Sequence, residues 1–130
     1  MMELSEHFAA QADLVVFHQG RKVLDPSTFQ VLRALSNTSS IQDAVNASGI
    51  PYRTAWEYIR NSSLALGREI VKGRSGGAGG GETRLTPTGR MLLSLYTDLR
   101  EDHIAWLGRV NDQIERDWSL LEKLDEGART

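Results

Sequence analysis

The chain has 130 residues, 40% hydrophobic and 25% charged, with a net charge of −2; this fits one soluble domain with a helical extension and excludes wholesale disorder. It has no cysteine, so disulfides and thiolate metal sites are excluded. The longest apolar run near the N-terminus, Leu14–Phe17, is far too short for a signal peptide or a membrane span. A cytoplasmic location is therefore expected. The near-neutral charge hides segregation. Residues 50–90 hold Arg53, Arg60, Arg68, Lys72, Arg74, Arg84 and Arg90 against Glu57, Glu69 and Glu82, while both flanking segments are net acidic. A basic island in an acidic chain suits an anionic partner, although a solvated face has the same composition.

In chain order, Leu14–Leu24 reads as two β-prone pieces around His-Gln-Gly-Arg-Lys, a small hairpin or a single strand. Asp25-Pro26 opens a helix with proline at its first position, and Phe29, Leu32, Ala34 and Leu35 follow at helical spacing. Ser40-Ile41-Gln42-Asp43 matches a capping box, with Asp43 a shorter substitute for glutamate. The short helix it opens stops at Gly49, and a further helix begins at Pro51. Two short helices joined by a tight glycine-containing turn are the mark of a helix-turn-helix.

Glu69–Lys72 and Glu82–Thr86 read as strands on either side of a loop in which six of the nine residues from Gly73 to Gly81 are glycine. Strand, loop and strand after a helix-turn-helix make a winged helix. The loop is not a P-loop, because Glu82-Thr83 rather than Lys-Ser/Thr follows the last glycine. Nor is it a dinucleotide fingerprint, since the sixth position from Gly77 is Glu82. A free linker is the bland alternative. Against it, Lys72, Arg74 and Arg84 place cations where a hairpin tip would meet phosphates.

In the helix from Pro51, Tyr52, Ala55, Trp56 and Ile59 fall on one side, with Trp56 read as core. Arg53, Thr54, Glu57, Arg60 and Asn61 fall mostly on the other. In a major groove Arg53 would reach guanine or a phosphate, Thr54 a thymine methyl or a phosphate, and Asn61 the backbone. The bland reading is a polar face with Arg53 and Glu57 paired. Thr86-Pro87 opens a last helix that reads to about Leu124, about 55 Å at 1.5 Å per residue. Its stripe of Leu92, Tyr96, Leu99, Trp106, Val110, Ile114, Leu121 and Leu124 is interrupted by His103 and Asp117, and a second copy is the expected cover. His7, His18 and His103 are scattered without ligand spacing, so no metal site, cofactor or catalytic constellation is expected.

The runs SSIQDAVNASGIPYRTAWEYI and GRSGGAGGGETRLTPTGRMLLSLY resemble the N-terminal DNA-binding domain of ModE-type molybdate-responsive regulators, which share the winged-helix arrangement of LysR-type regulators. The resemblance covers about residues 14–100. The family's Ser-Tyr-Lys-Ser-Ala-Trp segment corresponds to Pro51–Trp56, so proline stands where the family has serine. The resemblance implies a homodimer joined through the last helix, with recognition helices and wings on a near-palindromic operator in double-stranded DNA. Arg53 and Thr54 inherit the recognition role, and Lys72–Gly81 the wing role. The family's C-terminal oxyanion-binding domains have no counterpart before Thr130, so molybdate binding is not carried over and a stand-alone DNA-binding member is expected.

The expected architecture is mainly α with a small β-wing: a winged helix-turn-helix over 1–86, a dimerisation helix over 87–124 and a flexible tail over 125–130. The candidate DNA contacts are Ser39, Ser40, Tyr52, Arg53, Thr54, Glu57, Arg60, Asn61, Lys72, Arg74, Ser75, Gly76, Gly77, Gly79, Gly80 and Arg84. The candidate dimer residues are Leu92, Tyr96, Leu99, His103, Trp106, Val110 and Ile114. The alternative function is a protein-interaction module whose long acidic helix docks a separate effector-sensing protein. An enzyme using the glycine loop fits the motifs worst.

Overall fold

The computed structural model describes residues 8–74 and 82–129, with Arg74 and Arg129 described by backbone alone. In order, the elements are β1 (Val16–His18), β2 (Arg21–Leu24), α1 (Pro26–Ser36), α2 (Ile41–Ser48), α3 (Tyr52–Leu66), β3 (Val71–Arg74), β4 (Glu82–Leu85) and α4 (Pro87–Arg129). Two antiparallel pairs, β1–β2 and β3–β4, accompany the four helices. This is a winged helix with a long C-terminal helix. Residues 13–98 form one compact unit; residues 8–12 with 99–129 form a second.

In the first unit, β1 and β2 form a hairpin rather than a single strand. Gln19 and Gly20 both have positive φ, 50° and 80°, as the tight turn matching strand twist demands. Asp25 caps α1 by accepting from the Thr28 amide at 2.7 Å, and its other oxygen pairs with Lys22 Nζ at 2.8 Å. Burial pushes the Asp25 carboxyl up, but the bonds from Lys22 and Thr28 outweigh it and hold the group below the ordinary carboxylate value. Ser40 caps α2 by accepting from the Asp43 amide at 3.0 Å, so the first half of the expected box forms. Gly49 ends α2 at φ 74°, its N–H donating to Val45 O at 2.9 Å. Only glycine takes this left-handed position without strain.

The core joins Leu24, Phe29, Val31, Leu32, Leu35, Ala44, Ala55, Ile59, Ile70 and Leu85 to Leu92 and Tyr96 of α4. Leu92 and Tyr96 are 4% and 2% exposed, and the Tyr96 hydroxyl donates to Leu14 O at 2.8 Å. This corrects their place in the dimer stripe. The first turns of α4 close the winged-helix core, so the seven-residue period there records burial within the chain.

Thr86 joins the wing to α4. Its N–H donates to Ile70 O at 3.0 Å, and its hydroxyl donates to Glu69 O at 2.7 Å and accepts from the Gly89 N–H at 3.0 Å. A Cβ on Gly89 would lie 2.1 Å from Ile70 O. The run Leu85-Thr86-Pro87-Thr88-Gly89 is thus a helix cap followed by a close backbone approach.

In the second unit, α4 continues past Leu124 to Arg129, which corrects the expected tail over 125–130 for its helical residues. Residues 8–12 lie along this part of α4. Asn111 accepts from the Ala10 N–H at 2.6 Å and donates to Ala10 O at 3.3 Å. His103 Nε2 donates to Ala12 O at 3.0 Å, and Phe8 meets Trp118 edge to face at 4.5 Å.

Candidate nucleic-acid interface

Helix α3 has one buried line, Ala55, Ile59, Ser62 and Ala65. Trp56 is half-buried against the core, as read from the sequence. The opposite face exposes Arg53, Glu57, Arg60 and Asn61, with Thr54 half-buried at its border. Tyr52 does not join the core side. It is 48% exposed and touches Trp56 edge-on, centroids 6.4 Å apart, because the buried line begins only one turn later at Ala55. Among the described residues Arg53 makes no ion pair with Glu57, so its guanidinium is not committed to the fold.

The wing is pinned beside this helix pair. The Thr83 N–H donates to Ser39 O at 2.8 Å, tying β4 to the residue before the cap of α2. The β3–β4 register pairs Val71 with Leu85, Lys72 with Arg84 and Gly73 with Thr83. Side chains alternate across a strand: Thr83 and Leu85 are buried, whereas Lys72 and Arg84 are exposed. Two like charges directly opposite each other weaken a sheet, and Glu82 relieves the pair by bonding Arg84. Arg84 is therefore partly neutralised, while Lys72 makes no ion pair among the described residues. The Arg74 side chain and Ser75, Gly76, Gly77, Gly79 and Gly80 lie outside the described residues.

Ser39 is exposed; Ser40 is half-buried, and its hydroxyl already serves the Asp43 amide. Between the end of α1, the start of α2 and β4 lies an open groove of about 590 Å³ whose lining includes Ser39, Asp43, Arg84 and Arg90. Arg90 was absent from the candidate set. It donates through Nη1 to Leu85 O at 2.9 Å, and only its place in the basic island could have singled it out. The structure thus gathers Ser39 and Arg84 at one groove and Arg53, Glu57, Arg60 and Asn61 on one helix face.

Of the proposed dimer residues, Leu99, His103, Val110 and Ile114 are half-buried and Trp106 is 50% exposed.

No family model matches the chain. It is 33% identical over 86 residues to the molybdenum transport protein ModE of Herbaspirillum seropedicae, covering 66% of this chain and 32% of that one. It is 31% identical over 78 residues to the DNA-binding transcriptional dual regulator ModE of Escherichia coli, covering 60% and 30%. The chain thus spans about a third of the length of these curated relatives. Among solved structures it resembles Bordetella bronchiseptica BpsR, in work on how 6-hydroxynicotinic acid regulates that protein's DNA binding. The TM-score is 0.53 with 25% identity, covering 79% of this chain and 80% of that one. These matches fit an N-terminal ModE-type DNA-binding domain.

Proposed function

We propose that the chain is a DNA-binding transcriptional regulator that acts in the cytoplasm as a homodimer on a near-palindromic operator. The exposed face of α3 carries this reading: Arg53, Arg60 and Asn61 stand clear of the core, and Arg53 is free of the intrahelical pair that would explain it structurally. Arg53 reads a base edge or a phosphate, Thr54 borders the contact, and Arg60 and Asn61 hold the backbone. Lys72 and the glycine-rich segment after it follow the adjacent phosphates. Ser39 and Ser40 sit at the start of α2, where the amides and dipole of a helix N-terminus favour a phosphate. The winged-helix unit supplies these contacts and α4 beyond Leu99 joins the two copies. The relatives' names, which include regulators and a DNA-binding protein, support the same reading.

The test is fluorescence anisotropy on genomic fragments at several salt concentrations. Arg53→Ala is expected to weaken binding by about 1–3 kcal/mol and to relax sequence preference if Arg53 reads a base. Unchanged operator affinity would refute its role. The exposed Leu120, Leu121 and Leu124 favour a second reading, in which α4 docks a separate sensor protein; no detectable affinity for any genomic fragment would favour it.

A further inference from the structure

Charge on the exposed face of α3 is not of one sign. Arg53, Glu57 and Arg60 follow one another at i, i+4 and i+7, so they share one line along the helix. All three are exposed, and their line lies opposite Ala55, Ile59 and Ser62, which are buried. Glu57 thus stands at the middle of the free face, between two arginines, and among the described residues it pairs with neither. It belongs to the second turn of α3, beyond the unbonded amides at the helix start that would favour a carboxylate. No cap, ion pair or burial within the described chain uses this charge.

On the proposed function this face enters a major groove, where an acid works against the phosphates. A carboxylate accepts hydrogen bonds and donates none. The groove edge offers it two donors, the N4 amino group of cytosine and the N6 amino group of adenine, whereas guanine and thymine present acceptors. Adenine sets its N7 acceptor beside its donor, and cytosine does not. We propose that Glu57 is a specificity-determining residue that accepts a hydrogen bond from cytosine N4 at one operator base pair. It selects twice over, by attraction to that edge and by repulsion from the others. Four residues advance a helix by about 6 Å, against about 3.4 Å between stacked bases. Along a groove, Arg53 and Glu57 therefore meet different base pairs, one as donor and the other as acceptor.

This inference rests on the reading of the chain as a sequence-specific DNA-binding regulator, and one experiment tests the two separately. The full chain selects duplexes from a randomised double-stranded DNA library, and the bound fraction is sequenced. The native chain is expected to enrich a motif in which one cytosine is preferred about tenfold or more over other bases. Glu57→Ala should flatten that position and keep the rest of the motif. Glu57→Gln should also lose cytosine there, because an amide suits adenine. The site is exposed, and alanine and glutamine are good helix formers, so the fold is not at stake; circular dichroism checks this. One motif shared by the native chain and both variants would overturn the proposal while leaving DNA binding intact. Loss at the position that Arg53→Ala flattens would overturn it too, by showing that Glu57 only orients Arg53. A native chain that enriches no sequence would overturn both readings.

Discussion

Asp25 does two jobs with one carboxylate, capping α1 through Thr28 and pairing with Lys22 of the preceding strand. Because its folded pKa is lowered, the fold binds the charged form more tightly than the unfolded chain does. That contribution is complete above the unfolded value, about 3.9, and is lost as pH falls through the folded value. Urea unfolding at pH 7 and pH 3 checks this. Asp25→Asn should keep most of the cap but lose this pH-dependent increment, and Asp25→Ala should cost about 1 kcal/mol at pH 7. The cap was legible in Asp25-Pro26 because capping is a local rule. The Lys22 bond was not, since it depends on how the hairpin delivers β2 to α1. Ser62 was equally hidden. Its side chain is buried with no hydrogen-bond partner among the described residues, and nothing in its neighbours distinguishes it from an exposed helical serine.

Among the elements, those defined by punctuation were read correctly: α2 between Ser40 and Gly49, α3 from Pro51, and the wing on both sides of its glycines. The stripe of α4 was misread where period alone had to decide. Leu92 and Tyr96 keep the same spacing as Trp106 and Val110, yet the former face the winged-helix core and the latter do not. Helical periodicity states that a face is apolar without naming what covers it. The junction between β4 and α4 shows the opposite case, a motif whose meaning only contacts disclose. Thr86 and Gly89 fasten the helix to the end of β3 through Glu69 and Ile70. Gly89→Ala must displace a backbone carbonyl, so it should destabilise the fold by about 1–3 kcal/mol, seen as a lower Tm. Gly108→Ala, where an added Cβ meets nothing within 4 Å, is its control and should be neutral or stabilising in the unassociated chain.

For the whole molecule, charge segregation was the sequence signal that pointed past the fold. The net charge of −2 averages a basic centre with acidic flanks, and the structure puts part of that centre on the exposed sides of α3 and the wing. Contacts with phosphates release counterions, so log affinity for DNA should fall linearly with log salt. Replacing Lys72 by alanine should reduce that slope by about one and weaken binding to all sequences alike. Anisotropy titrations on specific and unrelated duplexes check both parts. A slope unchanged by Lys72→Ala would remove the wing strand from the interface.

The facing cations Lys72 and Arg84 also make ionic strength act twice, with opposite signs. In the free protein, dissolved ions screen the repulsion between these facing cations, so salt should favour the β3–β4 pairing. In the proposed complex with DNA, the same ions would compete with that wing for the phosphates. On the proposed function, DNA would supply the counterion that the wing's own sequence provides only in part, through Glu82.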